Sequence, residues 1–148
     1  MSRRLAFALG LVLLAPPTWS ASEDEDEPHP YYTIVPGRFA VIGQLPDGGA
    51  PYQGQATIAY AEGRLQLLRQ IGENTVTATG TVQRADPGEA DVIRFQWPGH
   101  EETCLVRLDL DNYARLSCVW TVKGATHRQP GLEAFFATDA WPSAQESP

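Results

Sequence analysis

The stretch ETCLVRLDLDNYARLSCVW, Glu102 to Trp120, carries both cysteines of the chain, fourteen positions apart. Its alternation decides the fold. If two strands turn around Asp111, the numbers of facing residues have a constant sum. A two-residue loop at Asp111-Asn112 makes Cys104 face Val119 and sends the two cysteines to opposite sides of the sheet. A three-residue loop, Leu110-Asp111-Asn112, makes Cys104 face Cys118, Val106 face Leu116 and Leu108 face Ala114. The second register collects Cys104, Val106, Leu108, Ala114, Leu116, Cys118, Trp120 and Val122 on one apolar face. It leaves Arg107, Asp109, Arg115, Ser117, Thr121 and Lys123 on the other. A slip of one residue would lose both the bridge and the sorting. Asn112 suits the left-handed position of a three-residue hairpin loop. Directly opposed strand residues lie near the separation a disulfide tolerates. The spacing therefore predicts a structural disulfide, Cys104–Cys118. Two thiols alone are too few for a metal site, and they lack the C-x-x-C spacing of redox pairs.

The same alternation continues outward from this hairpin. Strand candidates are Arg38–Leu45, Tyr52–Tyr60, Arg64–Ile71, Thr75–Arg84, Asp91–Trp97, Glu102–Asp109, Tyr113–Val122 and Leu132–Ala137. Clusters such as PDGGAP, AEG, GEN, PGHE and KGATHRQPG separate them, built from the residues that turns require. Tyr52, Gly54, Ala56, Ile58 and Tyr60 share a face, and Val76, Ala78, Gly80 and Val82 oppose a row of threonines. Short links suit antiparallel neighbours and no parallel crossover. The expected fold is all-β: an eight-stranded antiparallel up-and-down barrel over residues 37–138, with a β-sandwich as the alternative. Small and large inward residues alternate, which suits either a filled barrel or one with a small cavity.

The chain opens with MSRRLAFALGLVLLAPPTWSAS. Arg3 and Arg4 precede an apolar run too short to span a bilayer, and small residues follow at Ser20-Ala21-Ser22. This reads as a secretory signal over residues 1–22, hence a periplasmic or secreted protein. No second hydrophobic segment suggests a membrane span. Loss of Arg3 and Arg4 with the leader takes the net charge from −7 to −9. Residues 23–36 begin with the acidic run EDEDEP and read as a disordered, solvated lead-in, and residues 139–148 as a disordered tail. The acidic balance argues against nucleic acid or an anionic membrane as partner.

No catalytic constellation emerges. His29, His100 and His127 fall in tail or loop segments and read as solvated, although His100 within PGHEE could be half of an acid–base site. Asp109, Asp111 and Asn112 echo the start of a calcium loop, but Ala114 and Trp120 stand where its glycine and glutamate belong. Neither a metal nor a cofactor is implied. Arg69 is the anomaly, because it shares the inward face of Leu65, Leu67 and Ile71. Buried, it would need a carboxylate or a ligand anion. Near a barrel mouth it could instead reach out and pair at the surface. Arg69, with the inward aromatics Tyr52, Tyr60, Trp97 and Trp120, forms the candidate ligand site.

The stretch FAVIGQLPDGGAPYQGQATI, Phe39 to Ile58, runs through Gly43, Pro46, Asp47, Gly48, Tyr52, Gly54 and Ile58. It resembles small secreted bacterial β-barrel proteins of uncharacterised function, with a calycin-like shape. The resemblance implies fold rather than activity. The lipocalin G-x-W start is missing, since Arg38-Phe39 follow Gly37, so lipocalin ligands are not implied. The functional expectation is a non-enzymatic barrel that binds a small hydrophobic or acidic molecule. The alternative is an envelope protein-interaction module, such as an inhibitor of a wall-degrading enzyme.

Overall fold

The computed structural model describes residues 27–85, 88–108 and 114–138. The expected leader, the first acids of the lead-in, the 109–113 turn and the 139–148 tail lie outside the described residues. A short helix, α1 (Tyr31–Ile34), precedes eight strands: β1 (Gly37–Gln44), β2 (Pro51–Ala61), β3 (Arg64–Ile71), β4 (Asn74–Arg84), β5 (Asp91–Trp97), β6 (His100–Leu108), β7 (Ala114–Val122) and β8 (Gly131–Ala137). Each strand pairs antiparallel with the next, and β8 returns to β1, which closes the barrel. Closure removes the sheet edges that a sandwich would leave exposed. The sandwich alternative is thereby ruled out.

The β6–β7 register has Cys104 facing Cys118, Val106 facing Leu116 and Leu108 facing Ala114, as the alternation requires. The disulfide is formed, with 4.0 Å between the two Cα atoms, and it is buried inside the barrel. One member of the expected apolar face departs: Leu108, at the end of β6, is 60 % exposed. The parity of a strand sets the direction of a side chain, but a strand end has no neighbouring layer to cover it.

Side chains fill the barrel centre. Phe39, Ile58, Leu65, Phe95, Leu116 and Phe135 are each at most 2 % exposed and belong to one cluster with the disulfide. Small residues let large ones lie flat: a Cβ on Gly80 would collide with the Phe95 ring. The two ends of the barrel differ. One end is covered by residues that the sequence assigned to the disordered lead-in. Val35 is fully buried in the core cluster, and Tyr32 Oη accepts a hydrogen bond from the Val82 backbone N–H. His29 hydrogen-bonds Asp91 at 3.2 Å. The acidic composition upstream hid a segment, PHPYYTIV, with enough aromatic and aliphatic surface to dock. The other end carries the 45–50, 72–73, 98–99 and 123–130 connections and is the mouth described below.

The bridge closes a loop of about fifteen residues, for which chain-entropy arguments give about 3 kcal/mol. Urea unfolding of Cys104→Ala/Cys118→Ala against the oxidised protein is expected to show a loss of about this size. An unchanged midpoint would mean that the hairpin register, not the bridge, holds β6 to β7.

Candidate functional site at the barrel mouth

Inward parity places a residue of each strand at the mouth. Tyr52 on β2 faces Gly43 on β1, and Gly43 on its other side faces Glu133 on β8. With no side chain on Gly43, the Tyr52 ring lies across β1, and a Cβ there would collide with it. The phenol thereby reaches Glu133 Oε1, to which it donates at 2.5 Å. Gly131 does the same for Trp120, whose indole occupies the space a Cβ would take. Trp120 Nε1 donates to Tyr52 Oη at 3.0 Å. Arg69 on β3 donates through Nη1 to the same Glu133 oxygen, forming an ion pair.

The ring of contacts continues on the far side. The Arg69 guanidinium lies 4.9 Å from the centre of the Trp97 ring. Trp97 stacks on His100 at 5.1 Å with planes 6° apart, and His100 stands 6.1 Å from Trp120. His100 Nδ1 is 3.0 Å from the Pro98 carbonyl oxygen, which only accepts, so Nδ1 carries a proton. Hydrogen bonds and ring contacts thus link Trp120, Tyr52, Glu133, Arg69, Trp97 and His100 in a closed circuit.

Below it lies Glu102, opposite Trp120 on β6 and fully buried. Neither of its oxygens has a hydrogen-bond donor among the described residues, and neither does Glu133 Oε2. Burial raises the Glu102 carboxyl well above the usual carboxylate range. The negative charge of Glu133 raises it further, and Arg69 offsets only part of this. The chemistry is consistent: two carboxyls and one guanidinium cannot all stay ionised out of water. Glu133 is the carboxylate, Arg69 its counter-ion, and Glu102 a neutral acid able to donate where Glu133 Oε2 needs a donor. Burial, then Glu133, also pushes the Tyr52 phenol up, so it stays protonated as a donor. Glu102 also lies against the sulfurs of Cys104 and Cys118, but these are bonded to each other and offer no thiolate to a metal.

A cavity of about 350 Å³ opens above the circuit. Leu45, Pro51, Ile71 and Val76 give it apolar walls, and Tyr52, Arg69, Trp120 and Glu133 its polar side. Its rim is latched by Asp47, in the left-handed region at φ 57° within a short 3-10 turn (Pro46–Gly48). The Asp47 carboxylate accepts from the backbone N–H groups of Arg128 and Gln129 and pairs with His127. The Gln129 amide first, then His127, hold that carboxyl below its ordinary range.

Of the residues expected at a ligand site, the structure brings Tyr52, Arg69, Trp97 and Trp120 together. Tyr60 is separated from them: it sits eight residues along β2 from Tyr52, roughly 26 Å away, and packs on Tyr32 at the helix end. Arg69 does not reach out to pair at the surface but is 9 % exposed. His29 and His127 are not merely solvated, since each holds a carboxylate between distant segments. Glu102 and Glu133 went unread. Their signal was present: Glu102 shares the parity of Cys104, and Glu133 that of Phe135.

Two outcomes test this arrangement. A carboxyl with a raised folded pKa binds more protons folded than unfolded. Its contribution to stability is therefore full at low pH and is lost as pH climbs from about 4.5 toward the raised value. Glu102→Gln keeps a donor without a titration, so its stability relative to wild type should grow with pH in that window. The slope should reach at most about 1.4 kcal/mol per unit, as read from urea midpoints; parallel curves would contradict a neutral Glu102. Gly43→Ala should cost about 1–3 kcal/mol by overpacking, with changed Tyr52 fluorescence, because the added methyl displaces the phenol from Glu133. No protein-family model matches the chain, and no curated protein matches it significantly.

Proposed function

We propose that this protein is a non-enzymatic binding module, exported from the cytoplasm, whose barrel mouth takes one small molecule with a largely apolar body. The supporting observation is the cavity of about 350 Å³ beside the Tyr52–Glu133–Arg69 circuit. Small-molecule sites are typically about 300–1,000 Å³, apolar, with a few convergent polar groups. The centre of the barrel is packed, so the ligand would sit in the mouth rather than deep in a calyx. A hydrophobic body is favoured over an acidic one, because Glu133 already neutralises Arg69. The non-enzymatic reading is supported by the histidines: the hydrogen bonds of their rings run to carboxylates, a carbonyl and a backbone N–H, with no hydroxyl or thiol nucleophile among these partners. The buried disulfide suits an oxidising compartment, as in the periplasm or outside the cell.

A second reading, a protein-interaction module of the cell envelope, draws on one observation. Val119 and Leu132 face each other on the outer wall and are 44 % and 49 % exposed.

The small-molecule reading predicts that a hydrophobic dye binds with one site, and that native mass spectrometry of exported protein finds a co-purified molecule. Trp120→Phe should weaken dye binding about tenfold, and Ala50→Trp, at the rim, should block it. Failure to find either dye binding or a co-purified molecule would contradict the reading, as would dye binding indifferent to both substitutions.

A further inference from the structure

Among the described residues, the buried charged side chains are Arg69, Glu102 and Glu133: two acids against one base. Arg69 spends its Nη1 on Glu133 Oε1 and its face on Trp97. Glu133 lines the cavity, is 4 % exposed, and its Oε2 has no donor among the described residues other than the neutral Glu102 carboxyl, whose place a ligand donor can take. The cavity wall beside it is aromatic, from Tyr52 and Trp120. A buried carboxylate oxygen wants a donor, and aromatic faces attract cations. The chain as a whole carries −7, which steers cations toward it.

We infer that the mouth selects a molecule with an apolar tail and a primary ammonium head, held at Glu133 Oε2 against Tyr52 and Trp120. As the head enters, Glu102 behind them gives its proton to solvent. This rests on the small-molecule reading above and names the ligand class. The charge balance is simple: before binding, one carboxylate faces one guanidinium and Glu102 is neutral. After binding, two cations face two carboxylates. The titratable or charged groups facing Glu102 are Glu133 from β8 and Arg69 from β3, with Tyr52 from β2 bonded to Glu133 and His100 of β6 beside Trp120. Arg69 does not bar the cation, since its charge is already matched by Glu133.

The experiment uses three probes of equal tail length: hexylammonium, hexanol and hexanoate. Calorimetric affinities are measured on wild type and Glu102→Gln at a series of pH values upward from about 4.5, the ordinary carboxylate value. Hexylammonium is expected to bind wild type at least about tenfold more tightly than hexanoate. Its affinity should rise with pH in wild type and stay flat in Glu102→Gln, while hexanol is flat in both. Proton release should also appear in wild type alone, as a dependence of the measured heat on the buffer's ionisation enthalpy. Hexanoate binding as tightly as hexylammonium, or no proton release, overturns this inference and leaves the small-molecule reading standing. Failure of all three probes to bind overturns both.

Discussion

The ion pair of Arg69 with Glu133 is the constraint on which the mouth depends. Both groups are buried, together with Glu102, in a barrel whose remaining interior is aliphatic and aromatic around the disulfide. Such a pair is tolerated only where hydrogen bonds satisfy it, because desolvation of each ion costs several kcal/mol. Part of that satisfaction comes from Tyr52, which adds a second donor to Glu133 Oε1, and from the Trp97 face under the guanidinium, while Arg69 Nε and Glu133 Oε2 have no partner in this set. Tyr52 can do so because Gly43 leaves β1 bare beneath it. Trp120 then fixes the phenol from above, over a second bare position at Gly131. The glycines here are instruments of reach across a strand. Removing one partner would leave an uncompensated buried charge.

The barrel is polar at one end, apolar at its centre and covered at the other end. The centre resembles any small filled barrel, with the disulfide as one of its packed pairs. At the covered end, α1 and Val35 dock against the core, and Tyr32 takes up a strand-end backbone N–H. At the open end, Asp47 ties the β1–β2 turn to the β7–β8 connection, so the rim around the cavity is held by a carboxylate capping two backbone amides. That division sets the buried charges just beneath the open mouth and the apolar packing behind them.

Much of this was legible in the residues. Alternation along each strand, together with short turn-rich links, predicts eight antiparallel neighbours, and the pairing of Cys104 with Cys118 fixes one register in full. Inward direction at Tyr52, Arg69, Trp97 and Trp120 follows from the same parity. What was not legible is contact across non-adjacent strands. Tyr52 and Glu133 are 81 positions apart and meet only because β8 closes on β1. Glu102 and Glu133 are hard to read because an acid at the start of a strand resembles a turn boundary, although parity turns both inward. For a related reason the lead-in reads as disordered: its run of acids masks the residues Tyr31 to Val35, which are apolar enough to pack. Tyr60 shares the parity of Tyr52 but not its place, because parity reports direction and carries no information about which end of a barrel a residue occupies.

The charge balance of the mouth requires Glu102 to be a neutral acid beside the Glu133 carboxylate. Carbon-13 NMR of the glutamate side-chain carboxyls reads that charge state directly. One glutamate signal should stay at the protonated position above about pH 4.5, where an ordinary carboxyl ionises, and be absent from the Glu102→Gln protein. Every glutamate ionised at neutral pH, each with an ordinary acidic midpoint, would contradict it.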